Sequence, residues 1–308
     1  MTLAGELGAV LPRLDIINQF RPLIAGAALA LLLGSCFVWC RRGGRPAMLL
    51  ALCVLAIQGR FVIPEHVAGA GAGPVEAGQP SGTLTIVTFN MLQQAAAPEA
   101  LVRWVRSLEA DIVVLQEVGQ GGRKALDELG RVLSHRYTPA GGMALLSRYP
   151  LSAPEQVRPQ YEGGVRIRPD LVAATVHVAG HEPVRMVGVH FGWPQPAGVG
   201  QPIQFDWFAR NYLAGVAPAR LVIAGDFNST PGSFGFRKLE ALLPLARASV
   251  GLMTFPTPRG VFGIRPPRPF LAIDHVFVGA DLRPLAVRRG PHLGSDHYPV
   301  VAWIGLDR

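Results

Sequence analysis

Apolar runs along this sequence repeatedly stop at a side chain that can bind a cation or handle a proton. Asn90 follows Leu84–Phe89, Gln116-Glu117 follow Ile112–Leu115, and His190 follows Val184–Val189. Asp226 and Asn228 close the run that starts at Leu221, Asp274 follows Phe270–Ile273, and Asp296-His297 precede Val300–Ile304. Strand ends are where α/β enzymes place chemistry, and alternation puts Asp226 and Asn228 on one side with Phe227 opposite. A carboxylate and a carboxamide so placed can address one substrate together. Each position also has an ordinary reading: a turn for Gly225 to Pro231, a cap for Asp274, a satisfied core histidine for His190, an exposed turn for Asp296-His297. Collectively they make an oxygen-rich donor set without cysteine, which suits magnesium or manganese and not a structural zinc.

Of 308 residues, 29 are lysine or arginine against 21 acids, a formal charge of +8, and the only lysines are Lys124 and Lys238. Arginine forks match phosphate oxygens, so phosphorylated substrates, nucleic acid and anionic lipid heads are all compatible, although genomic base composition produces the same bias. The cysteines, Cys36, Cys40 and Cys53, all lie in apolar N-terminal sequence, which excludes a disulfide or a cysteine zinc site from the rest of the chain. No feature points to a protein partner.

The elements that position these groups begin with an anchor. Leu23 to Cys40 carry no charge over 18 residues, the length of a membrane span, and Arg41-Arg42-Gly43-Gly44-Arg45 follow. A second apolar run, Pro46 to Gln58, continues past Arg60 to Ile63 and spans if Arg60 snorkels. A signal peptide fits poorly, because an arginine cluster and another apolar stretch replace the cleavage site. The expectation is a transmembrane hairpin within 1–64, with helices over about 22–40 and 46–63, then a Gly/Pro-rich flexible linker at 65–82. Arginines balance on the two sides, but their density in the loop favours a cytoplasmic loop and an extracytoplasmic main domain. If only the first segment spans, the main domain is cytoplasmic.

From residue 83 to 306, strand-helix-strand units alternate with hairpins. Helices are expected from Pro98, over about 123–133, 203–216 and 235–243, and Trp104 is expected to pack. Pro256 to Pro269 has no assignable element.

Taken in order, Thr88-Phe89-Asn90, Leu115-Gln116-Glu117, Leu146 to Pro150, Val189-His190, Gly225 to Asn228, Ile273-Asp274-His275 and Gly294 to Pro299 resemble the endonuclease/exonuclease/phosphatase superfamily. Each motif alone is weak; the ordered set, spanning about 83–304, is specific. The resemblance implies a four-layer α/β/β/α sandwich of two mixed, mostly antiparallel sheets, with the site at one end. It also implies metal-dependent hydrolysis of a phosphate ester or anhydride. Glu117 then looks like the principal metal ligand, with Asn90 and Asp296 beside it, and His297 with Asp274 like the family's histidine-carboxylate pair. Asp226 resembles the group that positions or deprotonates water, and Asn228 and His190 donors to phosphoryl oxygens. Leu92 stands where some relatives carry an acid, which leaves one and two bound cations both open.

The core motifs name no substrate. With its hairpin the layout resembles membrane-anchored bacterial members such as the VanJ-like proteins, which implies a lipid-linked phosphate such as a polyprenyl pyrophosphate at a bacterial-type cell membrane. Phe191, Trp193, Phe255, Phe262 and Phe270 are candidates for lipid contact or for core packing. The alternative is a membrane-tethered nuclease, with Arg158, Arg166, Arg168, Arg259, Arg265 and Arg268 following a phosphate backbone. A catalytically silent binding protein is disfavoured, since no motif position is substituted.

Overall fold

A computed structural model describes residues 1–39, 45–69, 82–93, 97–194, 200–260 and 265–306. A short helix α1 (Thr2–Glu6) and a 3-10 segment (Pro12–Phe20) lead into α2 (Arg21–Trp39), which packs along α3 (Arg45–Gly69). Both are long and apolar enough to cross a membrane, by length and composition. Leu29, Leu31, Leu33, Phe37, Leu49 and Leu50 are exposed on them. The linker expected from 65 is shorter at its start, because α3 continues to Gly69; 70–81, like Arg41, Arg42 and Phe262, lies outside the described residues.

The main domain runs through β1 (Thr83–Gln93), α4 (Pro98–Ser107), β2 (Ile112–Val118), α5 (Arg123–Leu129), β3 (His135–Tyr137) and β4 (Ala144–Ser147). It continues with β5 (Leu151–Val157), β6 (Tyr161–Glu162), β7 (Val165–Arg166), β8 (Asp170–Val176), β9 (Val184–His190), α6 (Gly200–Trp207) and β10 (Leu221–Asp226). The chain ends with α7 (Phe234–Leu242), β11 (Ala246–Arg247), β12 (Asp274–Val278), β13 (Arg283–Arg289) and β14 (Val300–Gly305). Two six-stranded sheets result, ordered β13-β14-β1-β2-β4-β3 and β11-β12-β10-β9-β8-β5, while β6 and β7 form a separate hairpin. Each sheet has one parallel pair at its centre, β1 with β2 and β9 with β10; the other pairings are antiparallel.

Strand alternation assigns the layers. Ile86, Val114, Val172, Val222 and Val276 point into the space between the sheets. Their neighbours Val87, Val113 and Val301 face α4 and α5, while Val187, Ile223 and Phe277 face α6 and α7. The outcome is the expected four-layer α/β/β/α sandwich, with Trp104 packed on the outer face of the first sheet. The sheets touch closely where β9 crosses β2: a Cβ on Gly188 would meet Val114 Cγ1 at 2.3 Å. Helix boundaries differ from expectation where periodicity continues past the regular helix. α5 stops at Leu129, and α6 gives way to a π-helical turn at Phe208–Tyr212.

The N-terminal helical segment is fastened to this domain. Asp15 accepts from the amides of Phe234 and Gly235, both at 2.9 Å, and so caps α7. Gln19 donates to Ser229 Oγ at 3.0 Å and accepts from the Thr230 amide at 2.6 Å. Arg21 Nε donates to the Gly232 carbonyl at 2.8 Å. From α3, Glu65 pairs with buried Arg247, whose Nη1 lies 3.0 Å away, and accepts from the Gly251 amide at 3.0 Å. Burying Arg247 among Phe236, Glu240 and Glu65 makes its partners energetically important, at about 1.5–3 kcal/mol per charged hydrogen bond. Glu65→Ala should lower unfolding stability of the detergent-solubilised protein by about 2 kcal/mol. Lys124→Ala, which removes one end of an exposed pair with Glu99, should leave it unchanged.

Candidate active site

The central parallel strands release their chains at one edge of the sandwich. In the first sheet Asn90 lies beside Gln116, one residue before Glu117; in the second, Asp226 lies between His190 and Asp274. β14 runs antiparallel to β1, so Asp296 and His297, just before it, reach the same edge. Gly225 permits the tight fit at this point: a Cβ there would stand 2.0 Å from the Val189 carbonyl oxygen. Phe227 turns away into a cluster with Phe191, Phe236 and Phe277, which holds the loop from the apolar side.

Asp226 is the centre, with no solvent exposure. Its Oδ2 accepts from Asn90 Nδ2 at 2.9 Å and from Asn228 Nδ2 at 3.1 Å, and its Oδ1 accepts from the Asn228 amide at 2.7 Å. Asn90 Nδ2 also donates to Glu117 Oε1 at 3.0 Å, and the Leu92 amide donates to Asn90 Oδ1 at 2.9 Å. His190 Nε2 stands 3.5 Å from Glu117 Oε1 and 3.8 Å from Asp226 Oδ2. Glu117 and Asn228 both sit in left-handed backbone, at φ 50°, an uncommon conformation for side-chain-bearing residues that concentrates at functional sites.

On the other flank His297 Nδ1 faces Asp274, 3.0 Å from Oδ2, while its Nε2 is 3.8 Å from Asp226 Oδ2. Thr254 Oγ1 donates to Asp274 Oδ2 at 2.5 Å. Ser295 Oγ donates to the Asn90 carbonyl at 2.8 Å and accepts from the His297 amide at 3.1 Å, joining the last loop to β1. His275 points away from the site and bonds the Ser229 carbonyl at 3.0 Å, so it is a core histidine.

The structure thus gathers Asn90, Glu117, His190, Asp226, Asn228, Asp274 and His297. Among the described residues two groups bring ligand atoms within 4.8 Å of one another: Glu117, His190 and Asp226; and Asp226, Asp274 and His297. Asp296 joins neither, its half-buried carboxylate lying beside Ser295 Oγ at 3.4 Å. Asn228 uses both amide hydrogens internally, on Asp226 and on the Phe191 carbonyl at 2.9 Å, and in this arrangement it orients Asp226. Glu117 and His190 open onto a cleft of about 520 Å³ that Arg166 and Asp170 also line. Carboxylate oxygens on an open cleft are a donor set that fits a hard divalent cation. Thr254, Ser295, Asp15 and Gln19 carry no local signal of their roles; the nearest is that Asp15, Asn18 and Gln19 place polar groups directly before an apolar span.

Charge separates the flanks. Burial and the nearby Arg166 push His190 down to about 3, so it is neutral. Burial pushes His297 the same way, but Asp274 and Asp226 outweigh it and raise it to about 10. Desolvation raises Asp226 to about 7 against the pull of His297. His297 and Asp226 therefore both bind protons more tightly folded than unfolded, and stability falls as pH rises. The His297 share is complete below its unfolded value of about 6.5 and is lost by about 10. In chelator-treated protein the urea midpoint should drop between pH 6.5 and pH 10, and His297→Gln should flatten that interval.

A model of the Endonuclease/Exonuclease/phosphatase family matches residues 87–297, more than half of the chain. Among solved structures, an endonuclease/exonuclease/phosphatase from Beutenbergia cavernae is similar at 22% identity and TM-score 0.59, over 73% of this chain and 72% of that one. Sphingomyelinase C from Streptomyces griseocarneus is similar at 20% identity and TM-score 0.53, over 73% of this chain and 99% of its own. Beta toxin from Staphylococcus aureus, in a mutant form with bound magnesium ions, is similar at 16% identity and TM-score 0.54, over 71% and 99% of the two chains. Curated proteins returned no match. These likenesses show the fold, and the family match spans every strand end that carries the cluster around Asp226: the chain belongs to the endonuclease/exonuclease/phosphatase family.

Proposed function

We propose that this protein is a membrane-anchored phosphohydrolase, dependent on magnesium or manganese, that cleaves a phosphate ester or anhydride of a lipid-linked substrate. A polyprenyl pyrophosphate is the favoured example, as for the VanJ-like proteins. The observation that carries this reading is the fully buried Asp226, within reach of Asn90, Asn228, His190 and His297 and adjoining the carboxylate of Glu117 on an open cleft. Hydrolysis of phosphate needs positioning and charge neutralisation more than covalent chemistry, and this set offers both.

Glu117, with Asn90 beside it, would hold the cation, and Asp296, outside the two ligand groups, would join only by turning toward Glu117; the cation when bound supplies charge neutralisation and an acidified water. Asp226 orients the attacking water and takes up its proton, its oxygens fixed by Asn90 and Asn228. His297, kept charged by Asp274, faces the developing negative charge, and neutral His190 donates one hydrogen bond to a phosphoryl oxygen. The two candidate spans and the arginine-dense sequence between them support an anchor whose main domain lies on the extracytoplasmic side. A fold neighbour named as a sphingomyelinase, and another with bound magnesium, are in keeping with a lipid phosphate and that metal.

The test is a magnesium-dependent screen of the solubilised protein against polyprenyl pyrophosphate, phosphoinositides, sphingomyelin and plasmid DNA. Hydrolysis of a lipid phosphate, abolished by chelator and reduced at least about a thousandfold in Asp226→Ala and in His297→Ala, is the expected result. Cleavage of DNA alone would establish the membrane-tethered nuclease instead, with Arg166 on the cleft wall as its observation. Full activity in either variant would remove the catalytic assignment.

A further inference from the structure

The seam between the N-terminal helices and the catalytic domain forms a partly open cavity of about 260 Å³. Phe20 and Leu23, around the start of α2, line it from the N-terminal side, and Phe255, Leu271, Ile273 and Asn228 line it from the catalytic domain. The surface facing the cavity is almost wholly apolar, although Gln19 also borders it. Gln19 bonds Ser229 and Thr230, and Asn228 spends both amide hydrogens on Asp226 and Phe191, so Asn228 has no N–H left to offer a phosphate headgroup here. A cavity with such walls does not hold water well and accepts hydrocarbon instead.

Its lining says which hydrocarbon. Leu23 is half-exposed at the start of a candidate membrane span, so that end opens where the anchor leaves the domain for the bilayer. Two residues of its lining touch the catalytic cluster: Asn228 bonds Asp226 at 3.1 Å, and the ring of Phe255 lies 5.0 Å from that of His297. A chain entering from the lipid side therefore arrives beside the catalytic cluster. Resting on the phosphohydrolase reading, we propose that this pocket holds the hydrocarbon chain of the substrate, a membrane lipid phosphate, and that the anchor helix supplies part of the substrate-binding wall. The hairpin is then a component of the specificity site as well as a tether.

The proposal predicts chain-length selection. Full-length protein in micelles, with magnesium, should hydrolyse a series of alkyl phosphates from butyl to dodecyl with kcat/KM rising up to about fourfold per buried methylene. Leu23→Trp, which fills the pocket from the anchor side, should lower the dodecyl-to-butyl ratio by about tenfold or more; an unchanged ratio overturns the proposal. A second readout does not need turnover. In the inactive Asp226→Asn background, 12-bromododecyl phosphate should quench the fluorescence of Trp193, which also lines the cavity, and the quenching should vanish in Trp193→Phe. Quenching without hydrolysis in wild type would sink the phosphohydrolase reading and keep the pocket. Hydrolysis with neither chain-length dependence nor quenching would do the reverse.

Discussion

Asp226 is a carboxylate shut off from bulk solvent, and that burial is the constraint from which the rest of the site follows. A carboxylate there is tolerable only if its oxygens are bonded and a positive group is near. Asn90 and Asn228 provide the first, and His297 the second. Each of these must be held in turn: His297 by Asp274, Asp274 by Thr254, Asn90 by the amide of Leu92, and the loop carrying His297 by Ser295. The same low-dielectric surroundings that make the arrangement costly make it effective on a phosphoryl group, because preorganised charges act there with little screening.

The sandwich creates that position through its two central parallel pairs. Parallel neighbours end at the same edge, so β1 with β2 and β9 with β10 bring four strand ends together, and the antiparallel strands β12 and β14 begin there. Chain segments more than a hundred residues apart meet without any local signal that they will. The N-terminal segment joins the same edge: Gln19 holds the loop that leaves Asn228, Asp15 caps the α7 that follows it, and Glu65 clamps Arg247. Over the described residues the catalytic domain is hydrogen-bonded directly to its own N-terminal helices.

Much of the fold was legible because burial imposes periodicity. Val222 and Ala224 alternate with Leu221 and Ile223 since one set faces the other sheet and the second faces helices. β5 and β13 were harder to see: both are edge strands with exposed, proline-containing sequence, and an edge strand has no second neighbour to demand apolar residues. The boundaries of α5 and α6 were missed because apolar spacing continues after the regular helix stops.

For the site, sequence by itself determined the residue types, their order and their attachment to strand ends, because those are properties of short stretches with turn chemistry after apolar runs. It also determined that two stretches near the N-terminus are long and apolar enough to cross a bilayer. Only tertiary structure decided that Asn228 spends its amide on Asp226, that Asp296 lies apart from the two ligand groups, and that Thr254 supports Asp274. It alone decided that Phe191 and Phe255 are buried while Trp193 stays half-exposed beside an apolar cavity. The reason is physical: hydrogen-bond direction and solvent exclusion depend on what arrives from distant parts of the chain, and at this edge both sheets, the last loop and the anchor arrive together.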